Sequence, residues 1–233
     1  MSTNPAHPSL EAGGHTFTGL FIGTPCGSGR VRNEHAISML KTVLVLEAQG
    51  MHVEVKIEPH NPIAMWARNK LASAFMDSGC SHMLCVDDDL RWYPQDVLRM
   101  IEIGEHHAWV CGAAHANSDD EEYAVILPSG ELVTCPGCGC VELEYGNVSF
   151  ALLHRSVFER MFAAHPELKL KGNLYGLFDT LIERGKLWGD DYGFCRRWKA
   201  IGGQVWLDPN IVLTHYGVKG WTGDVAGWLR RPG

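Results

Sequence analysis

No apolar run in this sequence approaches the roughly 20 residues that a bilayer-spanning helix needs. The first residues, MSTNPAHPSLEAGGH, lack the charged stretch and apolar core of a secretory leader. Together these absences exclude a membrane span and make a cytoplasmic setting the expectation. Positive charge is also short. Twenty Lys and Arg stand against 27 Asp and Glu, and the net charge of −7 has the wrong sign for a chain that coats nucleic acid. The eight cysteines follow no regular framework and read as reduced thiols rather than a disulfide lattice. Internal repeats and low-complexity segments are missing too. What remains is a chain of 233 residues, 45% hydrophobic and 20% charged, suited to one α/β domain or two tight subdomains.

Periodicity divides that chain. Residues 1–15 are rich in Pro, Gly, Ser and His and read as a loose arm. Thr16 to Ile22 predicts a strand that stops at a Gly-rich loop, Gly23-Thr24-Pro25-Cys26-Gly27-Ser28-Gly29. Glu34 to Gln49 predicts a helix with Ile37, Leu40, Leu44 and Ala48 at helical spacing. Met51 to Ile57 alternates as a strand. Ile63 to Ser78 is a helix with Ala67, Leu71, Ala74 and Phe75 on one face, and Ser81 to Val86 is a third strand. A helix from Pro94 and a strand at Ala108 to Ala113 follow. This β-α-β-α-β-α-β order implies a mostly parallel sheet with helices on its faces, and such sheets bind ligands beyond the carboxyl ends of their strands. The later half reads as strands at Tyr123 to Leu127, Cys140 to Glu144 and Val148 to Leu153, helices at Ser156 to His165 and Gly189 to Ile201, and strands at Gln204 to Leu207 and Ile211 to Thr214. The Gly- and Trp-rich stretch 217–233 reads as a mobile tail.

Asp87-Asp88-Asp89 ends the third strand. Three adjacent carboxylates repel one another unless solvent or a cation neutralises them. Alternation along an extended segment points Asp87 and Asp89 the same way, and two hard oxygens there suit Mg²⁺ or Mn²⁺ completed by substrate phosphates. A solvated acidic turn capping the next helix is the plainer reading of so short a pattern. Further on, Trp188-Gly189-Asp190-Asp191-Tyr192-Gly193-Phe194-Cys195-Arg196-Arg197-Trp198 leads through Gly202-Gly203 and Trp206-Leu207-Asp208-Pro209 to Leu213-Thr214-His215-Tyr216-Gly217. In this ordered set the sequence resembles glycosyltransferases of the GT-A type, among them compact phage and bacterial enzymes, from about Phe17 to His215.

That resemblance implies a GT-A fold: an α/β, Rossmann-like central sheet flanked by helices, with a smaller mixed sheet on the acceptor side. It implies a nucleotide-sugar-binding half over 16–113 and an acceptor-side half over 114–216. It also implies that Asp87 and Asp89 hold Mn²⁺ or Mg²⁺ with His215 as third ligand, while Asp88 supports the metal or touches the donor sugar. In an inverting enzyme Asp191 would be the base that deprotonates the acceptor, and Asp190 would bind the acceptor; in a retaining enzyme both would only orient substrate. Helix capping explains the same two carboxylates without chemistry. Arg197 either pairs with one of them or is a solvated helix charge.

On the donor side the resemblance gives Thr24, Pro25 and Arg30 to base and phosphate contacts, and Arg68 and Asn69 to the ribose or the donor sugar. A turn loop and the solvent face of a helix would look the same. Lys219 and Trp221 lie where related enzymes have a tail that closes over the diphosphate, or else act as a simple hydrophobic anchor. The implied partner is a nucleotide-sugar donor, with a UDP-sugar such as UDP-glucose first; the acceptor stays open among glycan, protein and nucleic acid, including a modified base. Two rivals stand beside glycosyl transfer. A nucleotidylyltransferase would also use a Gly-rich loop and a metal-binding Asp, although Arg30-Val31-Arg32-Asn33 fits its loop poorly. A noncatalytic zinc module would be built on Cys135-Pro136-Gly137-Cys138-Gly139-Cys140, with a fourth ligand from His115 or Cys111.

Overall fold

A computed structural model of the chain describes residues 14–183, 185–217 and 219–230. Most of the expected N-terminal arm, residues 1–13, lies outside the described residues, as do 218 and 231–233 of the expected tail. The first half alternates as its periodicity implies: β1 (Leu20–Cys26), α1 (Asn33–Ala48), β2 (Val53–Pro59), α2 (Ala64–Asp77), β3 (His82–Val86), β4 (Leu90–Arg91), α3 (Pro94–Gly104) and β5 (Trp109–Cys111). The second half holds β6 (Val141–Glu142), β7 (Phe150–His154), α4 (Arg155–Ala164), a hairpin of β8 (Leu181–Glu183) and β9 (Lys186–Trp188), and α5 (Asp190–Ala200). It continues with β10 (Trp206–Leu207), β11 (Thr214–Tyr216), β12 (Gly220–Thr222) and α6 (Val225–Trp228).

Seven strands form the central sheet in the order β2-β1-β3-β7-β5-β10-β6. β1 runs parallel to β2 and β3, and β10 parallel to β5, while β7 is antiparallel to both β3 and β5. The fold is therefore α/β with a mixed, mostly parallel central sheet, as the sequence implies. The inner strands are buried on both faces, which explains their near-continuous apolar runs. Alternate residues of β3 divide between two cores: Met83 and Cys85 pack with Phe75, Trp109 and Phe158, and Leu84 and Val86 with Trp92, Met100 and Phe150. Among the described residues no helix is long and apolar enough to cross a membrane.

Several local readings change, and the strand expected over Ile211 to Thr214 forms later, as β11 over Thr214–Tyr216. Helix α1 forms over the expected span but turns a different face inward. Ile37, Leu40 and Leu44 are more than half exposed, whereas Met39, Thr42 and Leu46 are buried. The polar members of the buried face are satisfied, since Ser38 Oγ donates to the Trp92 carbonyl at 2.9 Å and Trp92 Nε1 donates to Thr42 Oγ1 at 2.9 Å. Helical spacing fixes the period, but a helix with apolar residues on two faces leaves the tertiary partner to choose between them. Tyr123 to Leu127 makes only isolated bridges, His115 with Tyr123 and Ile126 with Tyr145. The stretch expected to be a mobile tail is built into the fold: β12 pairs with β11, Val225 is buried, and Trp228 packs on Tyr123.

Candidate active site

The small second sheet sets the site. β4 follows the Asp triplet directly and pairs antiparallel with β11, with Leu90 opposite His215. The Tyr216 N–H donates to the Asp89 carbonyl at 2.9 Å, which fixes the register where triplet and β11 meet. His215 Nε2 thereby comes 3.2 Å from Asp89 Oδ2, across 126 positions of sequence. Its Nδ1 lies 2.8 Å from the His115 carbonyl and, facing an acceptor, carries the proton. The hydrogen bond to Asp89, followed by that to the carbonyl, raises the imidazole pKa against the effect of burial. A ring whose Nδ1–H is held by a backbone carbonyl and whose Nε2 faces a carboxylate has the arrangement metal-binding histidines use.

Asp87 does not close a three-ligand cage with this pair. Both of its oxygens accept from Arg68 Nη2, at 2.9 and 3.1 Å. It still borders the same cavity as Asp89 and His215, a recess of about 190 Å³ that Asn147, Ser149 and Asp191 also line. Arg68, taken from sequence for a ribose contact, is the hub of the acidic cluster. Its Nη1 lies 2.6 Å from Asp190 Oδ2 and 2.7 Å from Asp191 Oδ1, and its side chain is 9% exposed. The second contact lies off the N–H direction, so it is an ion pair without a directed hydrogen bond, and Asp191 Oδ1 is left with unused acceptor capacity. Burial works against the charge on Arg68, but the fields of Asp87, Asp191 and Asp190 outweigh it and hold the guanidinium charged. Burial in turn pushes Asp87 up to about 6 and raises Asp191, in each case against the pull of Arg68. One cation faces three carboxylates, and Asp88 and Asp89 stand beside them. The cleft is short of positive charge by construction.

Gly189 is the N-cap of α5, which puts Asp190 and Asp191 in its first turn, where the helix dipole favours acids. The helix approaches the preceding segment closely: a Cβ at Gly193 would fall 2.3 Å from the Asp179 carbonyl oxygen. Arg197 pairs with neither Asp. It points down the helix, where Nη1 donates to the Leu177 carbonyl at 2.8 Å.

The expected donor residues divide. Pro25, Asp87, Asp88, Asp89 and Arg68 line one recess together with Asn61. Asp88, raised by burial, hydrogen-bonds Cys26 and accepts the Arg32 N–H on its backbone carbonyl. Arg30 is exposed beside the turn that Ser28 closes. Thr24 is fully buried, with Oγ1 3.4 Å from His35 Nε2. β1 continues to Cys26 instead of stopping at Ile22, so strand alternation turns Thr24 inward, away from any base. Asn69 is likewise committed to structure: its amide donates to the Phe178 carbonyl at 2.9 Å and accepts the Phe178 N–H at 3.0 Å. Lys219 forms an ion pair with Asp119, and Trp221 Nε1 reaches the same carboxylate at 3.4 Å. Trp221 lies on β12, paired opposite His215, and Lys219 in the turn before it. Sequence reading passed over His35, whose Nδ1 lies 3.0 Å from the Asp87 carbonyl, and considered His115 only as a zinc ligand, whereas its carbonyl orients His215. No local spacing marks either one.

No family model matches the chain, and no curated protein is similar to it in sequence. Solved structures with a related chain course exist at low identity. A structure of GalNAc-T7 with UDP, GalNAc and Mn²⁺ aligns over 88% of this chain at 9% identity and a TM-score of 0.49. This chain covers 45% of that one, so it spans about half the length of the protein it matches. The 4-diphosphocytidyl-2C-methyl-D-erythritol synthase of Anaerococcus prevotii aligns over 67% of this chain and 81% of its own, at 11% identity and a TM-score of 0.37. A glycosyltransferase involved in glycosylation of the major capsid of PBCV-1 aligns over 68% of this chain and 72% of its own, at 10% identity and 0.34. These are likenesses of chain path alone.

Proposed function

We propose that the chain is a glycosyltransferase that moves a sugar from a nucleoside-diphosphate sugar, with a UDP-sugar the first choice, to a hydroxyl acceptor with divalent-metal assistance. The observation that carries this reading is the contact of His215 Nε2 with Asp89 on the wall of a recess that Asp191 also lines. One nitrogen and one hard oxygen side by side, with acidic neighbours, fit Mn²⁺ or Mg²⁺ whose remaining positions go to phosphate oxygens and water. The bound cation would neutralise the departing diphosphate as a Lewis acid.

The chain's own residues have distinct tasks. Asp89 and His215 hold the cation, and the His115 carbonyl keeps the imidazole aimed. Asp191 takes the acceptor's proton as its oxygen attacks the anomeric carbon. Its burial raises its proton affinity above that of a solvated carboxylate, while Arg68 keeps enough negative charge on it to act as a base. Asp190, held at 2.6 Å by Arg68, orients the acceptor. Asp87 anchors the other arm of the guanidinium, which ties the metal side of the cleft to the base side. Pro25 and Arg30 remain the candidates for the nucleotide, and Lys219 and Trp221 the candidates for the diphosphate.

A thermal-shift screen of nucleotide sugars with and without Mn²⁺ tests the donor, because a ligand that prefers the folded state raises the melting temperature. Product analysis tests the reaction: free nucleoside diphosphate supports glycosyl transfer, and pyrophosphate supports nucleotidyl transfer instead.

A further inference from the structure

Away from the cleft, the run Cys135-Pro136-Gly137-Cys138-Gly139-Cys140 folds into a tight knuckle against the end of α3. The Gly139 N–H donates to the Cys135 carbonyl at 2.9 Å, and the Cys135 N–H donates to the Cys140 carbonyl at 2.8 Å. Gly139 has φ of 77°, a left-handed conformation that glycine adopts without strain. The turn aims the backbone N–H groups of Gly137 and Cys138 at the Cys135 sulfur. Convergent backbone donors of this kind hold an anion, here a thiolate.

The same fold brings in a fourth residue from far away in sequence. Cys138 Sγ lies 3.7 Å from His107 Nε2. The ligand atoms of His107, Cys135 and Cys138 all lie within 4.8 Å of one another. Zn–S bonds of about 2.3 Å and Zn–N bonds of about 2.0–2.1 Å at a tetrahedral angle require an S to N separation of about 3.6 Å. Cys138 also hydrogen-bonds the thiol of Cys140, which is fully buried and stands outside that three-atom cluster. His107 is held in place: its backbone N–H donates to the Ile103 carbonyl at 3.1 Å beyond the end of α3, and its ring packs on Trp206 with centroids 4.6 Å apart. Arg99 donates to the Cys138 carbonyl at 3.0 Å, placing positive charge beside a site that three thiolates and Zn²⁺ would leave at −1. Cys111 and His115, the fourth ligands expected from sequence, lie elsewhere. Cys111 is in the core, and His115 lines the acidic recess.

We propose that His107, Cys135 and Cys138 bind one Zn²⁺ and clip the 128–140 loop to the end of α3, with Cys140, hydrogen-bonded to Cys138 but outside the three-atom cluster, closing the tetrahedron by a shift of its side chain. Soft sulfur ligands with one imidazole select zinc over the hard cations suited to Asp89 and His215, so the chain carries two metal sites of opposite character. The zinc site is structural, since its four positions are all taken by protein. Thiols bind the metal as thiolates, so binding releases their protons to solvent.

The test is metal analysis of the full chain purified without added metal and dialysed against metal-free buffer. One zinc per chain is expected, released by a mercurial thiol reagent. His107→Ala and Cys138→Ser should lose it. His107→Cys should keep it, and Asp89→Ala should keep it too. Should the variants fail to fold, cobalt exchanged into the wild-type chain serves in their place. An intense sulfur-to-cobalt charge-transfer band with tetrahedral d–d bands is expected. Absence of retained zinc, a full zinc content in Cys138→Ser, loss of zinc in Asp89→Ala, or a cobalt spectrum without thiolate bands would each overturn the proposal. None of these outcomes bears on glycosyl transfer, which the Asp89 and Asp191 variants test separately.

Discussion

Replacing Arg68 with Met asks whether one buried cation really holds the acidic cluster together. Methionine keeps most of the apolar stem and removes the guanidinium, so packing loss is small beside the charge effect. Three carboxylates, Asp87, Asp190 and Asp191, would then face one another without compensation. Breaking a buried ion pair by removing one partner costs about 3–5 kcal/mol. The cost depends on pH in a definite direction. Asp87 and Asp191 already titrate above their ordinary value of 3.8, and loss of Arg68 raises both further. A carboxyl raised in the folded state adds stability that is fully present below its unfolded pKa and is lost as pH rises through the folded pKa. Each further unit of upward shift costs about 1.4 kcal/mol once both states are ionised. Urea unfolding of Arg68→Met against wild type should therefore show a deficit of about 3–5 kcal/mol at pH 8 that shrinks to about 1 kcal/mol near pH 4, with unchanged m-values. An equal deficit at both pH values would mean that Arg68 acts through packing alone, and the charge argument would be refuted.

Asp191→Asn should leave the Mn²⁺-dependent thermal shift with a nucleotide sugar intact while lowering transfer at least 100-fold, the lower end of what a positioned base supplies; an unchanged rate in a radiolabel transfer assay would remove Asp191 from the base role. Asn69→Ala frees the Phe178 N–H and carbonyl from their partner, and should cost about 2–6 kcal/mol by denaturant melts, because buried polar groups left unmatched cost about 1–3 kcal/mol each. His82, which burial lowers to about 3, stays neutral in the fold while the unfolded chain protonates near 6.5, so its contribution is lost as pH falls from about 6.5 toward 3. The stability gap between wild type and His82→Gln should accordingly narrow on acidification by up to about 3 kcal/mol between pH 7 and 4, at about 1.4 kcal/mol per unit; a gap that stays constant with pH would contradict it.

Much of the first half was legible in the chain, because alternating strands and amphipathic helices there carry their own periodicity. The Asp triplet at the end of β3 and the histidine on β11 were visible as residue types in order, and β4–β11 pairing is what brings one onto the other. Other features were not legible for physical reasons. Arg68 and Asn69 look like the polar side of a helix with Leu71 on its apolar face, and nothing local shows that each is buried against residues over a hundred positions away. The ends of β1 and of the tail were misjudged because Thr24 and Pro25 resemble turn residues, and because the tail's Trp and Gly content says nothing about β12 adding to β11. The inward face of α1 depended on Trp92 supplying partners to Ser38 and Thr42. His107 sits 28 positions before Cys135, so no ligand spacing pointed to it.

The central claim is that Asp89 and His215 share a divalent cation that carries the charge of a leaving diphosphate. Calorimetric titration of UDP into the chain, with Mn²⁺ and then with EDTA, tests it most directly, using wild type, Asp89→Ala and His215→Ala. UDP binding that requires Mn²⁺ in wild type and is lost in both variants is the predicted result. UDP binding of equal strength in EDTA, or Mn²⁺-dependent binding that survives both substitutions, would contradict it.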